Sequence, residues 1–123
     1  MPLNVYVAWI GIFLGCIAGA TQGLFFHKES WLGGYGSWRR RMLRLGHIAF
    51  FGIAFLNLAF AATPLGDIRP ETIWASRLLV GGAIGMPLVC YLAAVREQFR
   101  HFFAVPVAGI TAAAGLVLWR LFT

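Results

Sequence analysis

Acidic side chains are scarce in this chain of 123 residues, which holds only four aspartates and glutamates. All of them lie in the polar stretches between apolar runs: Glu29, Asp67, Glu71 and Glu97. A proton-coupled transporter usually needs a carboxylate within a membrane span, and a charge-lined pore needs rings of charged side chains. The sequence therefore does not support a small multidrug exporter or a charge-lined channel.

Cysteine is also rare, and the two cysteines, Cys16 and Cys90, are not in a Cys-x-x-Cys arrangement. Both fall inside apolar runs, so we expect small buried hydrophobic residues and no disulfide framework. No segment resembles a nucleotide-binding loop. The serines have no evident histidine and acid partners at a defined spacing, so the sequence shows no catalytic constellation and does not predict an enzyme acting by itself.

Apolar residues dominate the chain instead, making up 60% of it, against 11% charged residues. They form four runs, at about residues 3–26, 42–63, 73–95 and 99–121. Each run has about the 17 to 25 residues that a helix needs to cross a bilayer. We therefore predict an all-α integral membrane protein, a four-helix bundle that forms a single transmembrane domain over residues 1–123.

Basic residues are distributed unequally between the two ends of the predicted spans. The first and third loops hold Lys28, Arg39, Arg40, Arg41, Arg44, Arg96 and Arg100, whereas the opposite side holds Arg69, Arg77 and Arg120. The positive-inside rule places the richer side in the cytoplasm. This predicts an antiparallel up-down bundle with both termini on the non-cytoplasmic side, in a bacterial inner membrane. Because the basic residues flank spans, we expect contacts with anionic lipid and none with nucleic acid.

Small residues recur every four positions in two of the runs. The first run contains Gly11, Gly15, Gly19 and Gly23, and the last contains Ala104, Ala108 and Ala112. Residues four apart share one helix face, and small residues let membrane helices approach closely. The glycine line is a glycine zipper that packs either within the chain or against another subunit, and the alanine line is predicted to be a second packing face.

Histidine occurs three times, and each histidine falls at the cytoplasmic end of a different span: His27, His47 and His101. The rise of 1.5 Å per residue predicts that their depths agree to roughly 10 Å. His27 continues the line of glycines, and His47 and His101 also share faces with small residues. We therefore expect the imidazoles to point towards the other helices.

Phenylalanines surround these histidines in the sequence, and Arg44 and Arg100 lie just outside. This combination suits a b-type haem with His47 and His101 as iron ligands, His27 as an alternative ligand, and the arginines paired with propionates. It suits equally a quinone headgroup, or a divalent metal held by the three imidazoles. The simpler interpretation is that histidines near an interface hydrogen-bond only to lipid phosphate or to backbone.

Two classes of function follow from these observations. The first is an accessory or scaffold subunit of a larger respiratory or photosynthetic membrane complex, in contact with other membrane subunits or with further copies of itself. Small size, short loops and the lack of a catalytic group favour it. The second is an electron-transfer membrane protein that binds a b-type haem or a quinone through its cytoplasmic-side histidines.

Overall fold

The computed structural model describes residues 2–123, and within them all regular secondary structure is helical. The four long helices are α1 (Pro2–Phe26), α2 (Trp38–Ala62), α3 (Pro70–Val95) and α4 (Ala104–Phe122). Short 3₁₀ segments at Trp31–Gly33 and Glu97–Phe103 lie in the connections. All four helices, with Glu97–Phe103 counted in the last, are long and apolar enough to cross a membrane, and the predicted all-α class with four such helices is confirmed.

The second and third helices begin earlier than the hydropathy pattern predicts, because a serine cap precedes α2 and a proline opens α3. Ser37 is extended and its hydroxyl accepts a hydrogen bond from the Arg40 amide at 3.3 Å, so α2 begins at Trp38. This is the N-cap arrangement that serine favours. Pro70 opens α3, where its fixed φ suits a first helical residue and its missing amide costs nothing.

The fourth helix begins later than predicted. Residues 97–103 form a 3₁₀ segment, and α4 starts only at Ala104. Pro106 is then the third residue of α4, where a backbone amide would have no partner within the helix, so proline is tolerated there. Pro87 lies inside α3, which continues as one helix on both sides of it.

The helices pack in the order in which they follow one another along the chain. α1 packs mainly on α2, α2 on α3, and α3 on α4, so the two central helices carry most of the contacts. The contacts of α1 with α2 run in opposite directions along the two helices, since Gly11 faces Ala54 whereas Gly19 faces His47. The buried core includes two apolar clusters, one around Leu79 and Ala113 and one around Met42 and Ala93.

Candidate functional site

The three histidines lie in different surroundings. His47 is half-buried on α2, where its ring lies over Gly19 of α1 and meets Phe51 edge-on at 5.3 Å between centroids. His27 is exposed just after α1. His101 is exposed in the 97–103 segment, where it lines a shallow depression with Glu97, Gln98 and Arg100.

The two arginines predicted to pair with a cofactor are engaged with protein groups. The Arg44 guanidinium donates to the carbonyl of Tyr35 at 3.1 Å and lies 4.4 Å from the centroid of its ring. Arg100 pairs with Glu97 at 3.1 Å on the exposed surface. Within residues 2–123, no group of three or more His, Cys, Asp and Glu side chains is placed to hold a metal ion. The haem, quinone and metal assignments stay predictions.

A buried polar cluster joins three helices at the end where α1 begins. Its members are Asn4 on α1, Asn57 on α2 and Ser76 on α3, and each is at most 3% exposed. The Asn4 amide donates to the Asn57 side-chain oxygen at 2.7 Å, and the Ser76 hydroxyl donates to the Asn4 side-chain oxygen at 2.5 Å. We name these residues the Asn–Ser triad.

Backbone carbonyls complete the Asn–Ser triad. The Asn4 amide also donates to the Ser76 carbonyl at 3.4 Å, and the Asn57 amide donates to the carbonyls of Ile53 and Leu79 at 2.9 and 3.2 Å. Both amide groups therefore use both hydrogens, and both side-chain oxygens accept. A fully satisfied network of this kind rigidifies a core and leaves no group free for proton transfer or ligand binding.

Sequence reasoning missed this triad as a unit. Asn57 lies in the middle of an apolar span and was a visible polar exception, whereas Asn4 sits near the start of the chain, where a polar residue attracts no notice. Ser76 is four residues after Thr72, and both side chains are buried on α3. The usable signal was that one amide in a span needs a hydrogen-bonding partner on another helix.

Arg40 is fully buried and closes the connection between α1 and α2. Its Nε donates to the Trp31 carbonyl at 2.6 Å, and its terminal nitrogens donate to the carbonyls of Phe26 and Lys28. The guanidinium also lies 5.5 Å from the ring centroids of Phe26 and Trp31. The Phe26 carbonyl is one of the last in α1, which have no partner within the helix, so Arg40 supplies the missing donor.

Three further polar side chains link elements to one another. Gln22 of α1 donates to the Tyr91 hydroxyl of α3 at 2.7 Å, and the Trp38 indole donates to the Ala93 carbonyl at 2.8 Å. Arg120 of α4 donates to the Leu65 carbonyl at 2.8 Å in the connection before α3. These contacts use the polar groups of the spans to hold the helices together.

The glycine line of α1 packs against α2 within the chain. A Cβ added at Gly11 would lie 3.3 Å from Ala54, one at Gly15 would lie 2.9 Å from the Phe51 ring, and one at Gly19 would meet His47. A Cβ at Gly23 would meet no neighbour within 4 Å. Three of the four predicted glycines therefore make a close contact with α2. Gly23, the last of them, does not.

The alanine line of α4 faces away from the rest of the chain. Ala104, Ala108 and Ala112 are all exposed, whereas Ala113 is fully buried. The buried face of α4 passes through Pro106, Ala113 and Arg120. The alanine line therefore does not pack within the chain, because the buried residues of α4 lie on another face of the helix. Its role as a packing face stays a prediction.

Two apolar grooves run along α3. One lies between α3 and α4, has a volume of about 460 Å³, and passes along Gly81, Gly85 and Gly109. The other lies between α1 and α3 over Phe50 of α2 and reaches Tyr91. Neither groove is lined by His27, His47 or His101.

No protein-family model matches the chain, and comparison with curated proteins and with solved structures finds no match.

Proposed function

We propose that the chain is a small multi-span accessory or scaffold subunit of a larger membrane complex, and that α4 is the helix through which it joins that complex. On this proposal its role is to pack against neighbouring transmembrane helices and to orient them. A respiratory or photosynthetic complex is the assembly for which such a subunit is expected.

The exposed face of α4 is the observation that carries the proposal. Ala104, Ala108 and Ala112 form a line of small side chains that no other helix of the chain covers, and Gly115 continues it. We name these residues the α4 ridge. Lines of small residues at this spacing are typical of contacts between membrane helices, because they let backbones approach closely.

The use of polar groups inside the chain supports the same proposal. The Asn–Ser triad, Arg40 and Arg120 make contacts that hold helices and connections together. Buried polar groups of an enzyme or transporter would instead converge on a cavity. The two grooves along α3 are lined almost entirely by apolar side chains, with Arg77 as the charged exception.

The proposal includes an orientation. Seven basic residues flank the side of the first and third connections and three flank the other. We infer an antiparallel up-down arrangement in a bacterial inner membrane, with both termini on the non-cytoplasmic side.

The experiment compares the size of the membrane assembly for matched variants in the native host. Ala108→Leu and Ala112→Leu place bulky side chains on the α4 ridge, and Ala20→Leu makes the same change at an exposed position of α1. After mild solubilisation and native electrophoresis, we expect the wild type and Ala20→Leu to migrate in a complex larger than the chain. The ridge variants should migrate as the free chain with unchanged helical circular dichroism.

Migration of the wild type as a free monomer in gentle detergent would contradict the proposal, as would unchanged assembly of the combined Ala108→Leu and Ala112→Leu variant. Mass measurement of the intact assembly distinguishes a complex with other subunits from a homo-oligomer, because a homo-oligomer gives a whole multiple of 13.5 kDa.

A further inference from the structure

We propose that the groove between α3 and α4 binds one anionic phospholipid, with the phosphate on Arg77 and one acyl chain along the groove. This site belongs to a single chain and does not depend on the proposed complex. It also differs from the cytoplasmic basic residues, because Arg77 lies at the opposite end of the spans.

Arg77 is a charged group within a membrane span that lacks a protein counter-charge. It lies seven residues after Pro70, or about 10 Å along the helix axis. Among residues 2–123 the only ion pair is that of Arg100 with Glu97, so no carboxylate neutralises Arg77. Its guanidinium lies 5.7 Å from the Trp74 ring centroid, and Trp74 is itself exposed, as expected at a lipid headgroup boundary.

An anion at the level of the lipid headgroups would pair with the charge of the Arg77 guanidinium. Charged side chains in spans are costly unless they are paired or reach the interface, and basic pockets between membrane helices bind anionic headgroups. Arginine presents several donors in a planar fork that suits phosphate oxygens. The phosphate of an anionic phospholipid therefore complements Arg77 in charge and in geometry.

The groove beside Arg77 is apolar, and glycines in its lining leave space where other residues would have side chains. Arg77 is the only charged residue in its lining, and four of the others are glycines, namely Gly81, Gly82, Gly85 and Gly109. At the far end lie Phe99 and Phe102, whose ring centroids are 5.9 Å apart. A ligand with one polar end has therefore a single orientation here, with that end at Arg77.

The length of the groove suits an extended acyl chain. It follows α3 from Arg77 to Leu92, a length of about 22 Å at 1.5 Å per residue. The groove is apolar along this length, so it can hold one extended hydrocarbon chain.

The test measures lipid binding to the intact chain by native mass spectrometry. The delipidated protein is titrated with phosphatidylglycerol or phosphatidylcholine carrying the same acyl chains. We expect one phosphatidylglycerol to bind more tightly than phosphatidylcholine, and Arg77→Gln to weaken that binding about fivefold, the effect of one basic residue near a membrane surface. Arg77→Lys keeps the charge and should retain the preference, and Arg69→Gln, outside the groove, is the matched control.

A second pair of variants tests the groove independently of the charge. Gly81 lines the groove and has open space around an added Cβ, so Gly81→Leu places a bulky side chain there, and Gly52→Leu adds the same side chain at a position of α2 that is equally open around Cβ. We expect Gly81→Leu to lose the tightest-bound phosphatidylglycerol and Gly52→Leu to keep it. Circular dichroism establishes that each variant is folded.

Three results would overturn the proposal. The first is equal binding of phosphatidylglycerol and phosphatidylcholine by the wild type. The second is binding that Arg77→Gln leaves unchanged. The third is a second copy of the chain that occupies the groove, seen as a dimer that Gly81→Leu abolishes and Arg77→Gln preserves.

Discussion

Hydrogen bonds between side chains decide how α1, α2 and α3 fit together at one end of the molecule. In a membrane, apolar burial does not drive helices together, because the lipid is as apolar as the side chains. The two amides and one hydroxyl of the Asn–Ser triad therefore provide specificity that apolar contacts lack. Asn57 is central, since its amide donates to two carbonyls and its oxygen accepts from Asn4.

Replacing Asn57 with leucine should lower the free energy of unfolding by about 1–3 kcal/mol, because the buried Asn4 amide loses one of its two acceptors. Unfolding of the purified chain with SDS in mixed micelles, followed by circular dichroism, measures this change. Thr111→Val is the control, since Thr111 is exposed on α4 and its loss should alter stability by less than about 0.5 kcal/mol.

A double-mutant cycle between Asn4→Leu and Asn57→Leu isolates the contact itself. We expect a coupling of about 0.6–1.7 kcal/mol, which runs from the average to the maximum found for such hydrogen bonds between membrane helices by double-mutant cycles. Additive effects of the two changes would mean that the 2.7 Å contact contributes nothing beyond each residue's own environment.

At the scale of a helix, the glycines of α1 are not equivalent. Gly15 faces the Phe51 ring and the Phe50 Cβ at 2.9 and 3.2 Å from an added Cβ, whereas Gly23 faces open space. The same substitution at these two positions therefore tests close packing separately from the general effect of removing a glycine from a helix.

We expect Gly15→Ala to destabilise the chain by about 1–3 kcal/mol, because overpacking forces the α1–α2 contact apart. Gly23→Ala should be neutral or stabilising by up to about 1 kcal/mol, because alanine favours the helix and meets nothing. The same SDS unfolding assay measures both. Equal effects at the two positions would show that close packing of the glycine line of α1 against α2 does not stabilise the chain.

Hydropathy and small-residue spacing predicted the helices well and their faces only in part. Four apolar runs sufficed to predict four helices, since run length follows directly from bilayer thickness. The glycine line of α1 marks a real contact, whereas the alanine line of α4 does not contact α3. Alanine is small enough for a helix interface and apolar enough for lipid, so its spacing does not decide which of the two it faces.

The histidines illustrate a second limit of sequence reasoning. Position along a span predicts depth in the membrane, but the direction of a side chain around the helix axis depends on how the helices are rotated against each other. His47 faces α1, whereas His101 is exposed in a 3₁₀ segment whose residues 99–103 were predicted to belong to the fourth span. Arg40 shows the converse, since an arginine assigned to membrane orientation is fully buried within the protein.

For the whole molecule, the unequal distribution of basic residues makes a prediction about sidedness. The connection between α2 and α3 contains Asp67, and the connection between α3 and α4 contains Gln98, and both side chains are exposed. The positive-inside rule places Gln98 in the cytoplasm and Asp67 outside, because Arg96 and Arg100 flank only the former.

We therefore expect a membrane-impermeant thiol reagent to label Asp67→Cys in intact cells, and to label Gln98→Cys only after the membrane is permeabilised. The unsubstituted chain measures the background from Cys16 and Cys90, which lie within the spans. The reverse pattern would place the basic face outside and contradict the inferred orientation. It would also move Arg77 and its lipid groove to the cytoplasmic leaflet, where phosphatidylglycerol binding by the purified chain would be unchanged. Sidedness and lipid binding are therefore separate properties of the molecule, and each experiment decides one of them.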